Sequence, residues 1–229
     1  YEGTATVEGV TAERIYTAKK QAVEEVLQRG RIPLLVDPDG RSIEVLKPDV
    51  VVDAIIAKKN LGTYKEMAPL VIGIGPGFVA GKDVHLVGES MRGHNLARIL
   101  ETGSALANTG IPGNIGGYTK ERVIHAAAEG YMKNIHQIGD VVQKGEEIAR
   151  IYEQMSTDGI FSGKFVSVEA TIPGVLRGLI REGYHFQKGF KIADIDPRES
   201  ELANCFTISD KASSIGGSVL EAVCRYVNG

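Results

Sequence analysis

Three groups of side chains in this sequence have the types and spacing to do chemistry. The first is Gly73-Ile74-Gly75-Pro76-Gly77, which ends an apolar run. Successive backbone N–H groups in such a loop can form a nest for an anion such as phosphate or molybdate. The spacing is not GxGxxG, and Pro76 removes one donor; a structural strand-to-loop turn is the alternative. The second group is Glu89, Arg92 and His94, in a polar loop flanked by glycine. Arg92 could clamp an oxyanion through two hydrogen bonds, and His94 could act as acid, base or metal ligand. A surface loop held by its own hydrogen bonds is the competing explanation. The third group is Lys58 and Lys59, with Asp53 and Asn60, at the end of a second apolar run. In open α/β sheets the carboxyl ends of strands face the ligand crevice, so these lysines could reach the same ligand. Gly73, Gly75, Gly77, Lys58, Lys59, Glu89, Arg92 and His94 are therefore the candidate binding set.

Other residues carry weaker signals. Asp194 and Asp196 could share a metal, although a salt-bridge cluster with Arg198 explains the same density of charge. Cys205, with Ser209, Asp210 and Lys211 after it, could be a reactive thiol near a base; the alternative is a buried cysteine. Lys164 is placed like the modified lysine of a prosthetic-group carrier, but its neighbours are Gly163 and Phe165 rather than Met. His85, His125, His136 and His185 lack metal-ligand spacing, and no Ser-His-Asp order, HExxH or P-loop is present.

The elements that would position these residues fall into three regions. Residues 1–120 read as α/β, a partial Rossmann-like parallel sheet. Thr11 to Arg29 carries a helical stripe (Ile15, Ala18, Ala22, Val23, Val26 and Leu27), with Thr11 as N-cap and Gly30 as the residue after the end. Ile32–Val36, Val50–Ala57 and Leu70–Ile74 read as buried strands, the first closed by the turn Asp37-Pro38-Asp39-Gly40. Residues 83–120 are irregular and glycine-rich. Residues 121–198 hold an internal repeat, and residues 199–229 end in a helix over Ser218–Val227.

In the repeat, Val123–Ile151 lies on Ser167–Ile195 without a gap. Identities fall at Ala126/Ala170, Gly130/Gly174, Gly139/Gly183, Gln143/Gln187, Lys144/Lys188, Gly145/Gly189, Ile148/Ile192, Ala149/Ala193 and Ile151/Ile195. Matched glycines imply matched turns, because glycine supplies positive φ. Gly139-Asp140-Val141-Val142-Gln143-Lys144-Gly145 resembles the G-D-x-V-x-x-G signature of biotinyl and lipoyl carrier domains. That resemblance implies an all-β duplicated barrel-sandwich hybrid.

Composition narrows the class. The chain has 229 residues, 43% of them hydrophobic, and a formal charge of −3. No basic block of the kind that neutralises phosphates is present, which argues against nucleic acid as a partner. The apolar runs are shorter than a membrane span needs, and no signal peptide is visible. Two cysteines, without CxxC spacing, fit a reducing cytoplasm. The chain opens at Tyr1 in mid-phrase, which reads as a fragment or processed product.

Taken in order, longer motifs bring a family into view. They are Val52-Asp53-Ala54-Ile55-Ile56-Ala57-Lys58-Lys59-Asn60, Gly73-Ile74-Gly75-Pro76-Gly77-Phe78, Arg92-Gly93-His94 and Asn108-Thr109-Gly110-Ile111-Pro112-Gly113, followed by Gly174-Val175-Leu176-Arg177-Gly178-Leu179-Ile180, Lys191-Ile192-Ala193-Asp194-Ile195-Asp196-Pro197-Arg198 and Ser209-Asp210-Lys211-Ala212. The set resembles the YqeB family, accessory proteins of the selenium-dependent molybdenum hydroxylase system. The resemblance implies a maturation factor rather than a classical enzyme. Its expected ligand is a nucleotide or molybdenum-cofactor-related anion. Its expected partner is a hydroxylase subunit or another maturation protein, with oligomer formation left open. It also implies a glycine-rich N-terminal unit ahead of Tyr1, and it assigns no catalytic residue. Two alternatives stay open: an enzyme of cofactor modification using Arg92, His94 and a strand-end lysine, and a carrier through Lys164.

Overall fold

The computed structural model describes residues 3–110 and 113–229. Tyr1, and Ile111 and Pro112 of the Asn108–Gly113 motif, lie outside the described residues. The chain divides into two compact units, one of residues 1–109 with 208–229, the other of residues 110–207.

The first unit contains two small sheets. Strands β1 (Thr4–Val7), β2 (Val10–Ile15) and, after helix α1 (Lys20–Gln28), β3 (Ile32–Leu35) form one, in the order β1-β2-β3. Pair β1–β2 is antiparallel and pair β2–β3 parallel. The helix expected from Thr11 begins only at Lys20. Glu8 and Gly9, both at positive φ, turn the chain so that Thr11–Ile15 pairs on both sides. A strand with two partners outcompetes a helix whose start holds the β-branched Thr11 and Ile15. Gly30, at φ +69°, does follow the last helical turn. Asp37 accepts from the backbone N–H groups of Arg41 (3.1 Å) and Ser42 (2.7 Å), opening the short helix α2 (Arg41–Leu46). Hydrogen bonds from Ser42 hold the Asp37 carboxyl below its ordinary pKa.

The second sheet positions the candidate residues. Its order is β4 (Val50–Asp53), β5 (Leu70–Ile74), β6 (Leu86–Gly88) and β7 (Ile99–Leu100). The first two pairs are parallel and the last antiparallel. Every residue of β5 is buried. Alternation sends Leu70, Ile72 and Ile74 toward helix α3 (Asp210–Asn228), where Ile215, Val219, Ala222 and Val223 meet them. Val71 points the other way, into a cluster with Phe78, Ala80, Val84 and Val87.

Among its described residues the second unit has eight strands: β8 (Val123–His125), β9 (Gly130–Asn134), β10 (Val141–Val142), β11 (Glu147–Met155), β12 (Phe161–Glu169), β13 (Gly174–Leu179), β14 (His185–Phe186) and β15 (Lys191–Asp196). They form two four-stranded antiparallel sheets, β10-β13-β15-β8 and β12-β11-β9-β14. Each sheet takes strands from both copies of the repeat, so neither copy can complete a sheet alone. The shared core joins matched positions: Ile124 with Val168, Met132 with Leu176, Val142 with Phe186, Ile148 with Ile192 and Ile151 with Ile195. Gly130 and Gly174, at φ +155° and +148°, sit where a Cβ would strike the backbone of Tyr152 and of Asp196.

The expected fold class is corrected on both counts. A Rossmann-like sheet is one parallel sheet with helices on both faces. Here the N-terminal region has two separate mixed sheets, and the β4–β7 sheet carries α3 on one face and loop residues on the other. The repeat is likewise not a closed all-β barrel-sandwich: its strands end in two sheets with their own edges.

Candidate functional site

Three segments meet at the carboxyl ends of β4, β5 and β6. Buried Asp53, the last residue of β4, accepts from Thr63 Oγ1 (2.6 Å) and from the backbone of Ile55 (3.1 Å). It thereby ties down the loop that carries Lys58 and Lys59. Ile56 and Lys58 in that loop have φ of +59° and +64°. A β-branched residue in the left-handed region is strained, and such strain clusters at functional sites.

The glycines of the next loop are there for close packing. A Cβ on Gly73 would lie 2.6 Å from the Phe78 ring, one on Gly75 would lie 2.7 Å from Ser90 Oγ, and one on Gly77 would lie 2.6 Å from Lys59 Cα. The loop is thus pressed against both the lysine segment and the segment after β6. The Gly75 N–H donates to the Gly88 carbonyl (2.8 Å), so this amide is not available to the anion nest that the sequence suggested. Glu89 is also engaged: its carboxylate accepts from the backbone N–H groups of Met91 (2.6 Å) and Leu106 (2.7 Å). It holds the loop rather than a ligand. His94 is exposed on that loop.

Arg92 donates to both carboxylate oxygens of Asp210, at 2.6 and 2.9 Å. Asp210 lies in the first turn of α3, after the N-cap Ser209, whose hydroxyl accepts from Ala212 N (3.2 Å). The next residue, Lys211, enters the same site. Burial lowers its pKa, the Arg92 and Lys58 charges lower it further, and Glu89 opposes them. Arg92 and Lys58 thus lie near enough to Lys211 for their charges to act on it, beside a helix N-terminus whose dipole has the same sign. Lys211 was legible only as a neighbour of Cys205. Nothing local links it to Lys58; the packing of α3 on β5 does.

Beside this group lies a groove of about 540 Å³ between α3 and the ends of β4 and β5. Val52, Ala54, Ile56, Ile74, Ile215 and Val219 line it, with Ser209 and Lys211 also in its wall.

The remaining sequence candidates fall elsewhere. Asp194 is paired with Arg122 (2.6 Å) and Lys191 (2.6 Å). Asp196, 1% exposed at its side chain, takes hydrogen bonds from Arg177 (2.8 Å) and from Arg198 (3.0 and 2.8 Å). Arginines and Lys191 engage the carboxylates that a metal would need. Among the described residues, no group of three or more His, Cys, Asp or Glu is placed to hold a metal ion. Cys205 donates to the Glu201 carbonyl (3.8 Å), and burial pushes its thiol pKa up, the reverse of an activated thiolate. Lys164 lies within β12, past the hairpin tip at residues 156–160, where a carrier lysine would not be presented. Among the described residues no helix is long and apolar enough to cross a membrane.

No protein-family model matches the chain. A curated relative, the Escherichia coli (strain K12) protein named uncharacterized protein YqeB, is 47% identical over 228 residues, which is 100% of this chain and 39% of the relative. Along its whole length, this chain is similar to YqeB. That supports membership of the YqeB family, on which the long motifs had pointed. The chain spans 39% of that relative's length. Among solved structures, the ectoine utilization protein EutE (DoeB) from Ruegeria pomeroyi is 17% identical, over 43% of this chain and 28% of that one, with a TM-score of 0.26. An aspartoacylase family protein from Mesorhizobium loti is 14% identical, over 46% of this chain and 32% of that one, with a TM-score of 0.28. Likeness at that level carries no argument about activity.

Proposed function

We propose that this chain is the ligand-holding part of an accessory protein for maturation of a selenium-dependent molybdenum hydroxylase. The ligand is an anionic precursor of the cofactor, or a nucleotide phosphate. One observation carries the binding role: Lys58, Arg92 and Lys211 converge at the carboxyl ends of parallel strands, and the acids beside them, Glu89 and Asp210, already have partners. Positive charge gathered around half-buried Lys211 favours an anion. The maturation role rests on the family resemblance of the motifs in the sequence; the 47% identical relative contributes the YqeB name alone.

The arrangement does not favour catalysis. Arg92 is held by Asp210, Glu89 accepts from two backbone amides, and His94 stands exposed, so each candidate acid–base group is engaged or turned to solvent. Binding and presentation fit these residues better than proton transfer.

The test uses the full-length protein in a host that makes the hydroxylase. Deletion should abolish hydroxylase activity, and the parent gene should restore it. The double variant Lys58→Ala/Lys211→Ala should restore little, despite normal abundance. Full rescue by the double variant, or unchanged activity after deletion, would refute the proposal.

A further inference from the structure

The groove beside the cationic group constrains what its ligand is made of. It is walled mainly by aliphatic side chains: Val52 and Ile74 from the sheet, Ala54 and Ile56 from the loop after β4, and Ile215 and Val219 from α3. These walls offer few hydrogen-bond partners along their length, so they favour an aliphatic body over a polar one. A hydrocarbon loses nothing polar there. A groove of about 540 Å³ is within the range of small-molecule sites.

A second observation concerns α3 itself. The helix carries Gly216 and Gly217 in its interior, where glycine is the poorest helix former after proline. Gly216 lines the groove, and a Cβ built there would meet no atom within 4 Å. Close packing within this chain therefore does not require glycine at 216. Its effect is to leave the groove wide at the expense of helix stability.

We infer that the groove binds an amphiphilic anion: an aliphatic body between α3 and the ends of β4 and β5, and a carboxylate or phosphate head at Lys211. The charge complements the shape. The polar wall is the Ser209–Lys211 end, and Lys58 and Arg92 add positive charge there. Lys211 is half-buried and its pKa is lowered by burial and by these cations, so an anionic head would relieve its environment. This inference rests on the anion-site reading, shares its anionic head, and adds an aliphatic body in the groove.

Calorimetric titration with decanoate, acetate, decyltrimethylammonium and inorganic phosphate tests it. Decanoate should bind saturably at one site, roughly a hundredfold tighter than acetate, because several methylenes leave water. Decyltrimethylammonium should bind far more weakly than decanoate. Gly216→Leu should weaken decanoate tenfold or more while phosphate binding stays within twofold. Because leucine is the better helix former, this variant should unfold at a temperature no lower than the parent. Gly217→Ala, which adds helix propensity without entering the groove wall, should bind decanoate like the parent. The inference is overturned if decanoate binds no tighter than acetate, if the cationic amphiphile binds as well, or if Gly216→Leu leaves decanoate affinity unchanged. Phosphate binding without decanoate binding removes this inference alone; loss of both removes the anion site with it.

Discussion

Asp196 shows how a charge is kept inside the second unit. Its carboxylate is 1% exposed and takes hydrogen bonds from Arg177 and Arg198. Burial pushes its pKa up, but the hydrogen bonds from Arg198 and Arg177 overcome this and hold it at about 2. The folded-state value lies below the unfolded one of about 3.9, so the stabilisation is present above pH ~4 and is lost as pH falls through 2. Its size is roughly 2 kcal/mol. Urea midpoints measured from pH 5 to pH 2 should fall across that window, and Asp196→Ala should flatten the fall. At pH 7 the same variant should cost about 3 kcal/mol, because two arginines lose a buried partner. Lys211 has the opposite consequence. Its pKa is lowered, so anion binding should weaken as pH rises, with a midpoint below the ordinary lysine value of about 10.4. Phosphate titrations at pH 7 to 10 would reveal this; a flat profile would mean that Lys211 does not touch the anion.

At the scale of elements, β5 was legible because Leu70, Val71, Ile72 and Ile74, broken only by Gly73, specify a buried strand wherever it pairs. The segment Thr11–Arg29 was not. Ile15, Ala18 and Ala22 fit a helical stripe, yet Thr11–Ile15 gains two strand partners that lie outside the window. Helix α3 misled in the other direction: it starts at Asp210, not Ser218, because Gly216 and Gly217 look like a break until Ile215 and Val219 dock on β5. Two glycines should respond oppositely to alanine. Gly217→Ala, with open space around its Cβ, should stabilise by about 1 kcal/mol. Gly77→Ala, at φ +115° and against the Lys59 backbone, should destabilise by about 2 kcal/mol or more. Thermal melts of the two variants, compared with the parent, test both signs.

At the scale of the whole molecule, the repeat was legible because its core falls on matched residues. Met132 and Leu176 occupy equivalent places and are both fully buried. Met132→Ala and Leu176→Ala should each cost about 2–5 kcal/mol in urea unfolding, with closely similar values. The way the copies exchange strands was not legible, since pairing partners lie a full copy apart in the chain. The candidate site was legible in part for the same reason. Lys58, Arg92 and the glycine loop stood out by residue type, but Lys211 joins them only through the packing of the last helix. That convergence is the central claim. Titration of inorganic phosphate into the parent and into Lys58→Ala/Lys211→Ala, at pH 7 and low salt, tests it directly. The account predicts saturable binding by the parent and a loss of tenfold or more in the double variant, with unfolding temperature little changed. A parent that binds no phosphate, or a double variant that binds as the parent does, would contradict it.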